Sequence, residues 1–92
     1  MMIEAIGSPA MLEQLAEEAA ELAQAALKAA RILRKENPTP VTLSEACVKL
    51  REEYTDVVQC AFELMLIPDS EQIVEKALRF KKRLEEGKQG EK

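Results

Sequence analysis

The 92-residue sequence has no tryptophan and no histidine, and only three of its residues are aromatic. A core must therefore be assembled from Leu, Ala, Val, Ile and Met. Without histidine, and with no CxxC pair, nothing resembles a zinc cluster. Cysteine is scarce too, at Cys47 and Cys60. On one helix those 13 positions span roughly 20 Å of rise, whereas a disulfide needs Cα atoms within about 7 Å. Two free thiols in or beside a core are expected, and with them a reducing, cytoplasmic setting. No apolar run approaches the roughly 18 residues of a membrane span. Met1 to Ile6 carries Glu4 and no basic cluster, so it does not read as a signal peptide. A broad positive surface is missing as well. The formal net charge is −4, which argues against binding a nucleic-acid polymer but not against a small anion beside a bound metal.

What the chain has in quantity is helix-forming sequence. Ser8-Pro9 is a start signal, with Ser as cap and Pro in the first turn. No Gly or Pro follows until Asn37-Pro38-Thr39-Pro40, which breaks the helix. Thr42 with Glu45 three residues on forms a capping box for a second helix. Pro68 ends that helix, Asp69 caps a third, and Gly87 suits its C-terminal end. The expectation is one all-α domain over 1–92 with helices at about 9–36, 43–66 and 70–86. Its long antiparallel helices would form a bundle completed by oligomerisation, because so short a chain has little room for a private core.

At about 100° per residue, the first helix gathers Met11, Leu15, Ala19, Leu22, Ala26, Ala30 and Leu33 into one arc. The second gathers Leu43, Ala46, Cys47, Leu50, Tyr54, Val57, Val58, Ala61 and Met65. Glu18 falls at the edge of the first arc with Glu21 at its rim, and Glu13 and Glu17 face solvent. Glu53 lies at the rim of the second arc, with Asp56 one step beyond. Each helix thus carries an i,i+3 acidic pair along its packing border, with Cβ atoms roughly 5–6 Å apart. Two readings are open. With 17 acidic residues in the chain, the pairs are compatible with solvated helix faces. Facing each other across a seam, they would instead repel and require a cation, either a Lys or Arg side chain or a hard divalent ion, which prefers such oxygen ligands.

The spelling around these pairs resembles the MazG-like nucleoside triphosphate pyrophosphohydrolases. Leu15-Ala16-Glu17-Glu18-Ala19-Ala20-Glu21-Leu22 looks like the EExxE motif, and Glu53-Tyr54-Thr55-Asp56 like the ExxD motif, in the family's order. Asn37 to Thr42 is similar to the linker of small members, and Lys76 to Gly87 to the basic closing helix. The resemblance covers about residues 10–87. It implies a Mg²⁺-dependent enzyme, with Mn²⁺ as a substitute, that cleaves an NTP or dNTP to the monophosphate and pyrophosphate. It implies Glu18, Glu21, Glu53 and Asp56 as metal ligands and Glu17 in a supporting place; for the hydrolysis itself, one carboxylate, Glu21 or Glu53, is expected to take the proton of the attacking water. It further implies a homodimer or homotetramer. Lys76, Arg79 and Arg83 share one side of the third helix and are candidates for the substrate phosphates; favourable charge at a helix C-terminus explains them equally well. Tyr54 and Phe62 are either base-stacking or core residues. The alternatives are a phosphoribosyl-ATP pyrophosphohydrolase-like enzyme and a noncatalytic helical oligomerisation module.

Overall fold

A computed structural model describes residues 1–36 and 40–90, without the side chains of 89 and 90. The chain is all-helical, with α1 at Met2–Ile6, α2 at Ser8–Arg34, α3 at Leu43–Glu63 and α4 at Ser70–Gly90. Asn37, Pro38 and Thr39, three residues of the expected breaker, lie outside the described residues.

Local chemistry accounts for the ends of the helices. Gly7 turns the chain from α1 into α2 at φ 87°, a conformation open to a residue without Cβ. It takes the N-cap position expected for Ser8, which becomes the first helical residue, and Pro9 stands in the first turn. Lys35 closes α2 in the left-handed conformation, with the Glu36 amide donating to Arg31 O at 3.2 Å. At the start of α3 the Glu45 amide donates to Thr42 Oγ1 at 3.1 Å, and the Thr42 hydroxyl faces Glu45 Oε1 at the same distance. This helix ends at Glu63 rather than near Leu66, because Met65 turns left-handed at φ 57° and the Leu66 amide donates back to Ala61 O. Asp69 Oδ1 caps α4 through the Gln72 amide at 3.1 Å. α4 then continues through Gly87 to Gly90. A Cβ added at Gly87 would meet nothing within 4 Å, so no close approach requires glycine there, and its cost inside the helix is conformational entropy. The five-residue α1 was not foreseen in the sequence.

α2 packs along α3, and α1 packs on α2. The seam differs from the arcs expected at 100° per residue. On α2 the buried and half-buried positions follow the series Met11, Leu15, Glu18, Leu22, Ala25, Ala29 and Ile32, with Ala10 and Ala30 beside it; on α3 and its C-cap they follow the series Ala46, Leu50, Glu53, Val57, Cys60 and Leu64. Both sets step by four and three alternately, the 3.5-residue repeat of paired helices. Ala19, Ala26 and Leu33 on α2, Cys47, Tyr54 and Val58 on α3, and Met65 just past its end are exposed instead. The seam therefore runs through Glu18 and Glu53, which occupy positions that apolar residues hold on either side.

The chain's own core is thin. Among the described residues Met11 is the one large side chain that is almost wholly buried, at 1% exposure. Every residue from Met65 to Lys88 is exposed, so all of α4 with a described side chain is uncovered. The radius of gyration is 17.4 Å, against about 12 Å for a compact domain of this length.

Candidate metal centre

Glu18, near the middle of α2, and Glu53, near the middle of α3, face each other across the seam. Asp56 stands one turn beyond Glu53. Each of the three offers a carboxylate oxygen, and these oxygens all lie within 4.8 Å of one another. Glu53 is 5% exposed, Glu18 is half-buried and Asp56 is exposed. The Oε2 atoms of Glu18 and Glu53 are buried with no hydrogen-bond partner. An ionised oxygen in that position is costly unless a cation or donor meets it.

The remaining oxygens are held from the flanks. Gln14 Nε2 donates to Glu18 Oε1 at 2.7 Å. Lys49 Nζ donates to Glu53 Oε1 at 2.8 Å and lies 3.8 Å from Glu52. Glu21, one turn after Glu18, hydrogen-bonds to Glu53. That bond, reinforced by the negative charges of Glu18 and Glu53, raises the Glu21 pKa above its ordinary value. Glu53 moves the other way, chiefly through its bond to Lys49, and the same bond raises Lys49. The two carboxyls are thus shifted in opposite directions, Glu21 toward holding its proton and Glu53 toward losing it.

Two clefts continue the groove on either side of the carboxylates. One, of about 300 Å³, is bounded by Met2 and Ile6 of α1, Met11, Gln14, Gln59 and Cys60, with Glu18 and Asp56 at its inner end. The other, of about 370 Å³, is bounded by Gln24, Ala25, Lys28 and Lys49, with Glu21 and Glu53 at its inner end. Residues early in α2 face residues late in α3, so the two clefts and the acidic cluster follow one line.

All four carboxylates expected as ligands are brought to this groove, three in mutual reach and Glu21 beside them. Glu17 is exposed on α2. Lys76, Arg79 and Arg83 are exposed on α4 and line neither cleft. Tyr54 and Phe62 are 58% and 69% exposed, so neither fills the core of this chain. Cys60 is buried, and burial together with the charges of Glu18, Asp56 and Glu63 pushes its thiol pKa up, away from reactivity. Both cysteines are free.

Sequence reasoning missed Lys49, Lys28, Gln14 and Glu63. Lys49 had a signal, its i,i+4 spacing to Glu53. Glu63 had none: it is 4% exposed and accepts the backbone N–H of Met2, a partner 61 residues away. No family model matches the chain, and no curated protein or solved structure proves similar to it. The donor set must be judged on its own chemistry. Several carboxylates with two buried, unpartnered oxygens suit a hard divalent cation, which takes oxygen ligands and keeps some water. Among the described residues no helix is long and apolar enough to cross a membrane.

Proposed function

We propose that this chain is a cytoplasmic, Mg²⁺-dependent nucleoside triphosphate pyrophosphohydrolase of the MazG-like kind. The observation that carries the reading is the meeting of Glu18, Glu53 and Asp56 within 4.8 Å, with buried oxygens left unpartnered. The EExxE and ExxD spellings supply the same residues in the family's order.

In this reading Glu18, Glu53 and Asp56 hold the ion, and Gln14 and Lys49 fix the orientation of two of them. Bound Mg²⁺, or Mn²⁺ in its place, neutralises phosphate oxygens and lowers the pKa of a coordinated water. Glu21 is the stronger candidate for general base. It is solvent-facing, its proton affinity is raised, and it is not committed to a lysine as Glu53 is. Its carboxylate takes the proton of a water that cleaves the bond between the α- and β-phosphoryl groups. The water oxygen bonds to the α-phosphorus, the bond from that phosphorus to the bridging oxygen breaks, and its electron pair leaves with pyrophosphate, so the products are the nucleoside monophosphate and pyrophosphate.

The thin core and the exposed apolar residues of α3 and α4 support a homodimer or homotetramer in which antiparallel helices complete a bundle. Lys76, Arg79 and Arg83 would then serve phosphates by way of a neighbouring copy. The apolar exposure equally favours the second reading, a noncatalytic oligomerisation module.

The deciding experiment incubates the protein with the common NTPs, dNTPs and phosphoribosyl-ATP plus Mg²⁺, assaying pyrophosphate and monophosphate together. Equimolar products, lost with a chelator and in Glu53→Gln, support the reading. Phosphate without pyrophosphate sinks the proposed cleavage. Turnover of phosphoribosyl-ATP alone selects that enzyme class. No product from any nucleotide leaves the oligomerisation module.

A further inference from the structure

The two clefts beside the carboxylates differ in chemistry, and the difference has a direction. Toward the start of α2, the walls are the apolar side chains of Met2, Ile6 and Met11 with the amides of Gln14 and Gln59. Toward the end of α2, the walls carry the ammonium groups of Lys28 and Lys49 and the amide of Gln24. A nucleobase presents an apolar face with hydrogen-bonding edges, which suits methionine and isoleucine beside two amides. An amide side chain can both donate to and accept from such an edge. A phosphate tail presents concentrated negative charge, which suits lysines. At about 300 Å³, the amide cleft falls at the lower end of the range for small-molecule sites.

Resting on the hydrolase reading above, we propose that the groove binds a nucleoside triphosphate in one polarity. The nucleoside lies at the α1 end against Met2, Ile6 and Gln59. The scissile phosphates lie over Glu18, Glu53 and Asp56, and the terminal phosphates lie at Lys28 and Lys49. Gln59 is then a specificity-determining residue, one turn after Asp56 on the same helix. Lys28 is a leaving-group residue, seven positions after Glu21 and thus on the same side of α2. Neither residue touches the carboxylates through a hydrogen bond or ion pair found here, so each reports on its own end of the groove.

The test uses the full chain with Mg²⁺ and two kinds of probe, titrated by calorimetry. One kind is the α,β-methylene analogues of ATP, GTP, CTP and UTP, which resist cleavage. The other is inorganic tripolyphosphate, which has the tail and no nucleoside. Both variants change exposed side chains, and a melting curve establishes that each remains folded.

Lys28→Gln is expected to weaken both kinds of probe by about tenfold, the loss of a charge-assisted hydrogen bond. Gln59→Leu is expected to weaken the preferred nucleotide by about fivefold to tenfold and to leave tripolyphosphate unchanged. The polarity is overturned if Gln59→Leu weakens tripolyphosphate as much as the nucleotides, or if Lys28→Gln spares tripolyphosphate. It is also overturned if the wild-type chain binds tripolyphosphate as tightly as every nucleotide, since no nucleoside end then exists. Failure of the hydrolase reading looks different: the wild-type chain binds neither kind of probe in a Mg²⁺-dependent way.

Discussion

Nζ of Lys49 lies 2.8 Å from Oε1 of Glu53, while Oε2 of the same carboxylate is buried without a partner. The lysine therefore meets half of a charge that the helix seam encloses. A divalent ion at the other half would sit close to the ammonium group. Two such cations about 5 Å apart repel enough to cost roughly tenfold in affinity even at the dielectric constant of water. Lys49→Met should have two opposite effects. Without metal the variant melts below the wild type, because Glu53 is left buried and unpaired. With Mg²⁺ it gains more stability than the wild type, and calorimetry with the metal alone shows about tenfold tighter binding. Equal Mg²⁺ affinity in the two proteins would place the ion away from Glu53.

The raised pKa of Glu21 gives a second prediction. Its folded-state pKa is raised above 4.5, first by the bond to Glu53 and then by the charge of Glu18. A carboxyl raised on folding binds its proton more tightly in the folded chain. Its contribution to stability is complete below 4.5 and falls as pH climbs through the raised value. Glu53, lowered by Lys49, contributes in the opposite sense: its share is present above 4.5 and is lost as pH falls through its lowered value. Glu21→Gln keeps the shape of the protonated form and cannot ionise. In a chelator at pH 7 it should melt above the wild type, with a flatter pH profile on the neutral side. Mg²⁺ binding to the wild type should release a proton in the window just above 4.5, seen as a buffer-dependent binding enthalpy. A buffer-independent enthalpy would mean that Glu21 does not take part.

Much of the site was legible because its residues follow local rules. Glu18 with Glu21, and Glu53 with Asp56, are i,i+3 pairs, and their place beside the packing stripes can be read from periodicity. The caps at Thr42 and Asp69 are equally local. The register of the seam was not legible from apolar residues alone. An arc drawn through the alanines selects Ala19 and Ala26, whereas the structure packs Glu18 and Ala25. The 3.5-residue step of paired helices and the chain's willingness to bury a carboxylate set that choice together, and neither shows in hydropathy. Lys28 and Gln59 gain meaning only when α2 and α3 are laid side by side. Glu63 depends on α1 folding back from the far end of the chain.

The seam itself can be tested by volume. Met11 is 1% exposed and Ala25 is 9% exposed on the observed register. Met11→Ala should cost about 2–5 kcal/mol, the range for truncating a large core side chain. Ala25→Leu should cost about 1–3 kcal/mol by overpacking the contact with α3. Leu33→Ala, at a position 66% exposed, should stay within about 0.5 kcal/mol. Urea denaturation at a fixed protein concentration measures all three. A cost at Leu33 equal to that at Met11 would restore the arc drawn from the sequence, or reveal that a second chain covers Leu33.

The last prediction concerns α4, which lies uncovered in a single chain. Ile73, Ala77, Phe80 and Leu84 recur at steps of four, three and four, and Ile73, Phe80 and Leu84 are 56%, 59% and 53% exposed. That spacing is the stripe of a helix that packs on another helix. Among the described residues nothing buries it. Tyr54, Val58 and Phe62 are also exposed on α3, and large exposed apolar surfaces mark interaction sites. Light scattering after size exclusion should therefore give the mass of a dimer or tetramer for the wild type. Placing charge on the stripe, in the double variant Phe80→Glu with Leu84→Glu, should shift that mass to one chain. If Lys76, Arg79 and Arg83 serve the groove of a neighbouring copy, the monomeric variant loses nucleotide binding while α2 and α3 keep their metal site. A wild-type chain that runs as a monomer at roughly 50 µM, well above the Kd of a standard-size interface, would refute the oligomer and confine catalysis to the residues of a single groove.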